Sequence, residues 1–274
     1  MFTQQNDKED IIIIDIAKIS EELAEEETVA LFGSYAKGEG GLLDGKPVND
    51  YDLIIYTEDR EDFEKIAYRI GSLGLNNLPE MHHLKPSEIE NLKCTQQWYE
   101  ASIDLMMLSG KKAIPFPYWE AHDIPYLDAI NSLEKRAVSM LIAKHEMLKG
   151  EDTDWNKVMG QIGKMVIALG DAILIKRGVF NTSYRTRALM LGQDDISELY
   201  NTAVSYKLLS LPDLSKDKIW EYWNITRNYY YRYVKENQIP INVGNALLAI
   251  DETISKDKLK ELIIKLNAGS WLWL

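Results

Sequence analysis

Apolar positions along the chain fall into two regimes. Over residues 1–112 they come as short runs: Thr28-Val29-Ala30-Leu31-Phe32, Asp50-Tyr51-Asp52-Leu53-Ile54-Ile55-Tyr56, and the stretch 101–108. Runs of this length, bounded by glycine or charge, read as buried strands. Residues 11–24 mix Ile, Leu and Ala with acids at helical spacing and predict a helix ending near Glu27, and 63–73 predict a second. Residues 78–84 predict a further strand. Pro86-Ser87 opens a short helix, with Ser87 as N-cap and Glu90 completing a capping box. Gly110 to Pro117, with two lysines and two prolines, marks a boundary. Beyond it the period becomes helical at 126–149, 154–177, 197–208, 216–236 and 243–268, and no strand pattern recurs. The expected fold is an α+β mixed sheet over residues 1–112 followed by an all-α bundle over 113–274.

Composition narrows the function classes. At 274 residues and 46% apolar content, the chain can bury a substantial core. Its net charge of −12 argues against a surface that binds long nucleic acid without sequence preference, because such surfaces are basic. A local basic pocket for one triphosphate remains compatible with that charge. The single cysteine, Cys94, excludes an intrachain disulfide and suits a reducing compartment. The polar N-terminus lacks the pattern of a signal peptide, and Lys164 and Asp171 interrupt the longest apolar stretches. A cytoplasmic protein without a membrane partner is expected. The C-terminal Trp271-Leu272-Trp273-Leu274 is expected to dock on the protein or on a second copy, which would make a homodimer.

The candidate chemistry lies in the first half. Asp50 and Asp52 stand two apart on a strand and so project from one face. Beside buried Leu53, Ile54 and Ile55 they repel unless a cation lies between them. A hard divalent cation with oxygen ligands answers that, while a solvated strand end is the ordinary alternative. Upstream, Gly33-Ser34 sits where a strand turns into a helix, a place where phosphate can approach backbone N–H groups closely.

The text Leu31-Phe32-Gly33-Ser34 followed by Asp50-Tyr51-Asp52-Leu53 resembles the nucleotidyltransferases of the DNA polymerase β superfamily. The spacer Tyr35 to Asn49 is longer than that family's usual one, and the extra residues are expected to form a loop over 40–48. The resemblance implies Mg²⁺ and a nucleoside triphosphate, ATP first among them. Asp50, Asp52 and a third carboxylate on a later strand would be both catalytic and metal-binding. Ile103-Asp104-Leu105 has the family's form for that third acid, with Glu100 as the runner-up. The implied reaction is attack of an acceptor hydroxyl on the α-phosphorus with loss of pyrophosphate. Gly33 and Ser34 would cradle phosphate. From the helical half, Lys164 would reach the terminal phosphates, Tyr184 would stack on the base, and Arg185 would fork onto phosphate. Acceptors in that superfamily range over small molecules, proteins, tRNA ends and nucleotides, and nothing in the sequence selects among them. A nucleotide-binding regulatory or toxin–antitoxin component without turnover is the alternative. His82-His83 point to opposite faces of a strand and read as ordinary strand histidines.

Overall fold

The computed structural model describes residues 6–43, 46–47, 49–208, 214–240, 247 and 254–270. The chain divides into two compact units, Met1–Ile124 and Pro125–Leu274, so the segment from Gly110 to Pro117 lies within the first.

The first unit is a four-stranded mixed sheet with helices on both faces. Its elements in order are α1 (Asn6–Glu22), β1 (Thr28–Phe32), the single turn α2 (Gly33–Ala36), β2 (Leu42–Leu43), β3 (Lys46–Pro47), β4 (Tyr51–Tyr56), α3 (Arg60–Gly71), β5 (Pro79–Leu84), α4 (Gln96–Ile103) and β6 (Met106–Ser109). The strand order is β5-β4-β1-β6, with β4 and β5 parallel and the other pairs antiparallel. Helix α3 makes the crossover that a parallel pair requires. It starts where Asp59 accepts from the Glu61 amide at 2.7 Å, and it buries Phe63, Ile66 and Ile70 at helical spacing.

Strand alternation sorts the core into two layers. Val29, Leu31, Tyr51, Leu53 and Ile55 pack on Ile19 of α1 and on Phe63, Ile66 and Ile70 of α3. Ala30, Phe32 and Ile54 face the other way, against Leu84, Ile89, Ala101 and Ile114. Strands covered on both sides read as continuous apolar runs, which is why β1 and β4 were legible. The stretch 101–108 is not one strand. Residues 96–103 form α4, where the Thr95 hydroxyl accepts from the Trp98 amide at 3.1 Å, and only Met106–Ser109 join the sheet. Ser87 is not an N-cap either. Its amide donates to Glu58 at 3.0 Å, and residues 86–91 are a 3₁₀ helix with no side-chain cap.

Among its described residues the second unit has helices and no strand: α5 (Tyr126–Met147), α6 (Trp155–Lys176), α7 (Tyr184–Met190), α8 (Ser197–Lys207), α9 (Lys216–Glu236) and α10 (Lys256–Ser270). The expected helix over 243–268 is interrupted at Ile254 and Ser255, which are not helical, and most of 241–253 lies outside the described residues. Trp271 to Leu274 also lie outside them. Helix α6 is long and apolar enough to cross a membrane by length and composition, but 78% of that window is buried inside the protein. Its stripe Val158, Ile162, Met165, Leu169 and Ile173 is core. Asp171 does not break this helix. It is buried with fully buried Arg187 at 2.7 Å and accepts from the Tyr200 hydroxyl at 3.3 Å.

Candidate functional site

Strand β1 ends at Phe32, paired with Asp52 across the antiparallel ladder. The chain then turns at Gly33 with φ +72°, a left-handed conformation that favours glycine. A Cβ at Gly33 would overlap the Asp52 carboxylate at Oδ2 and lie 3.1 Å from its Cγ. The glycine therefore does two things: it permits the turn, and it leaves room for Asp52 beside it. Ser34 follows, buried inside the single turn α2, which has no side-chain N-cap bond.

The loop between this turn and β4 is pinned at both ends by one side chain. The Tyr35 hydroxyl donates to the Gly41 carbonyl at 3.0 Å and accepts from the Asn49 amide at 3.2 Å. The Asn77 side chain also donates to the Asn49 carbonyl, at 2.6 Å. Between these ends the long spacer carries the small hairpin β2–β3. Asp50 then lies exposed at the entry to β4, with Asp52 half-buried within the strand. The intervening Tyr51 points into the opposite layer, where its hydroxyl donates to the fully buried Asp15 at 2.9 Å. Burial, then that bond and the Asp15 charge, push the Tyr51 hydroxyl pKa far up.

The parallel partner β5 completes the site. Its register sets Asp52 beside Glu80 and Ile54 beside His82, so all four side chains share one face. The donor atoms of Asp52, Glu80 and His82 all lie within 4.8 Å of one another. His82 is held edge-on by Phe32, at 5.3 Å between ring centres, and by Trp98, at 6.4 Å. Its Nδ1 meets the Gln97 side-chain amide at 3.1 Å. Its Nε2 is buried without a hydrogen-bond partner among the described residues. Burial lowers the His82 pKa, against an opposing pull from Glu80.

Asp104, expected mid-strand, is instead the C-cap of α4, two residues before β6 begins. Met106 pairs with Leu31, so Asp104 comes to the same end of the sheet as Asp52, but on the far side of β1 and outside the donor group. Its Oδ2 is buried with no hydrogen-bond partner among the described residues. Glu100 is engaged by Lys37 at 3.2 Å and by Gln96 at 3.3 Å, a cross-tie from α2 to α4. Glu80 is the residue that sequence reasoning passed over. The strand containing it was recognisable, but its parallel register against β4 was not.

The three candidates from the helical half belong to the second unit. Lys164 is exposed on α6. Ser183 is the N-cap of α7, accepting from the Thr186 amide at 3.2 Å, which accounts for that serine by helix grammar. Arg185 is exposed in the first turn. The Tyr184 ring carries the Arg187 guanidinium 4.3 Å from its centre and the Lys207 ammonium at 5.0 Å.

The chain matches no family model, no curated protein and no solved structure.

Proposed function

We propose that the first unit is a divalent-cation-dependent nucleotidyltransferase. It would move a nucleoside monophosphate from a triphosphate, ATP first, to the hydroxyl of an acceptor. One observation carries the reading: Gly33, at positive φ, turns the chain directly against the Asp52 carboxylate, with Glu80 next in register on β5.

The residues fit a bound cation. Asp52 and Glu80 bring two carboxylates onto one face, with Asp50 at its mouth. Like charges this close favour a cation between them. The unpartnered Asp104 Oδ2 and His82 Nε2 are buried polar atoms of the kind that a ligand or cation satisfies. The bound cation supplies neutralisation of charge on the triphosphate oxygens. Asp50, Asp52 and Glu80 would hold it. Gly33 keeps the space beside Asp52 clear. The acceptor oxygen bonds to the α-phosphorus, the bond from that phosphorus to the bridging oxygen breaks, and pyrophosphate leaves. The hydroxyl proton would pass to Glu80. The net charge of −12 favours a small-molecule or protein acceptor over long RNA.

The test is pyrophosphate release from each triphosphate, with divalent cation and a panel of hydroxyl acceptors. Release that disappears in Asp50→Asn and Asp52→Asn, both still folded, supports the reading. No release with any acceptor, together with no cation-dependent nucleotide binding, overturns it.

A further inference from the structure

The cation site has a donor that the carboxylates do not explain. We infer that His82 Nε2 is a further metal ligand beside Asp52 and Glu80, so that the site takes a first-row transition ion such as Mn²⁺ in preference to Mg²⁺. The inference rests on the metal site of the reading above, not on its transfer chemistry.

Three observations lead there. His82 offers one ring nitrogen to a group with the two carboxylates, all within 4.8 Å, and the nitrogen not engaged by Gln97 is Nε2. It is 3.7 Å from Glu80 Oε1, too far for a hydrogen bond, and it has no other partner among the described residues. The ring is also fixed in orientation by Phe32 and Trp98 on its edges and by Gln97 at Nδ1. A metal-ligating imidazole commonly donates its other N–H to a neighbouring acceptor. The Gln97 amide nitrogen donates to Nδ1 at 3.1 Å, and exchanging that amide's nitrogen and oxygen would let Nδ1–H donate instead and free the Nε2 lone pair for a cation.

The alternative is a packing histidine that fills the layer between β1 and α4. It gives no reason for a buried Nε2 that lies 3.7 Å from Glu80 Oε1 without bonding it. The donor set also sorts the cations. Mg²⁺ prefers oxygen ligands and keeps several waters, whereas an imidazole beside carboxylates favours first-row transition ions, among which Mn²⁺ binds most weakly and is the mildest test.

The experiment uses the full chain, stripped with EDTA and titrated with Mn²⁺ or Mg²⁺, with no nucleotide present. The wild-type protein with ¹⁵N-labelled histidine should show imidazole nitrogen coupled to bound Mn²⁺ in pulsed electron spin resonance, and it should bind Mn²⁺ more tightly than Mg²⁺. His82→Asn should lose that coupling and about tenfold or more of its Mn²⁺ affinity, with Mg²⁺ affinity unchanged. Mn²⁺ bound without nitrogen coupling in the wild type overturns the inference and needs no variant to do so. Equal losses for both cations in a folded His82→Asn also overturn it, since packing alone would then suffice. Failure to find transfer to any acceptor would leave this result untouched, and nucleotide transfer without nitrogen coupling would sink this inference alone.

Discussion

Two glycines with nearly equal backbone angles separate two costs at the residue scale. Gly33 and Gly38 have φ of +72° and +69°, yet a Cβ at Gly38 meets nothing within 4 Å while one at Gly33 overlaps Asp52. Each alanine variant should lose about 1–2 kcal/mol for the left-handed backbone. Only Gly33→Ala should also displace Asp52 and weaken divalent-cation binding. Chemical denaturation and cation titration on both variants measure the two effects, and equal cation affinity in the two would show that Asp52 does not depend on that space. Ser34→Ala belongs beside them. With no side-chain cap on α2, it should not incur the roughly 1 kcal/mol that loss of an N-cap carries. The acids divide in the same way. Glu80→Gln removes a donor from the group containing Asp52, whereas Asp104→Asn changes a carboxylate outside it. Cation affinity should fall sharply for the first and much less for the second. The reverse order would restore Asp104 as the third metal ligand.

Legibility at the element scale followed burial. Strands β1 and β4 announced themselves because both faces are covered, and α5, α6, α8 and α9 because one stripe of each is apolar. What stayed hidden depends on partners distant in sequence. Ile103-Asp104-Leu105 has a strand's composition, but the Thr95 cap starts a helix that carries through Ile103. Helix α7 has seven residues, too short for a periodic signal, and its anchor is Arg187, buried with Asp171 sixteen residues earlier. The site was half legible for the same reason. Gly33, Asp50 and Asp52 lie in local motifs, while Glu80 and His82 enter only through the parallel register. A pH test addresses one such non-local tie. Asp194 accepts two bonds from Arg177, at 2.7 and 2.6 Å, and that guanidinium holds its carboxyl below the ordinary value of 3.8. Because the folded pKa is the lower one, the stabilisation is present above about pH 4 and is lost as pH falls through the folded value. Arg177→Gln should therefore be less stable than wild type at pH 7, with the gap closing below about pH 4, as read by urea denaturation. A gap unchanged at pH 3 would assign the loss to packing of the arginine stem.

The charge of the whole molecule bears directly on how a triphosphate can bind. At −12, the chain repels a free nucleotide carrying several negative charges, and Asp50, Asp52 and Glu80 concentrate that repulsion at the proposed site. A divalent cation reverses the local sign, so cation and nucleotide should stabilise the protein together far more than either does alone. For a ligand at a hundred times its dissociation constant the gain is about 2.7 kcal/mol, which shifts the melting temperature by about 5–10 °C for a protein of this size. Thermal scans with ATP alone in EDTA, with Mg²⁺ or Mn²⁺ alone, and with each pair should show the full shift only for the pairs. The shift should shrink at high salt where it arises from exposed Asp50 and persist where it arises from partly buried Asp52. Asp50→Asn should accordingly lower the salt sensitivity, and Asp52→Asn should abolish the shift. A nucleotide shift of equal size in EDTA would mean that phosphate is held by protein cations rather than through shared metal. In that case Lys164 and Arg185, exposed in the second unit, become the residues to replace.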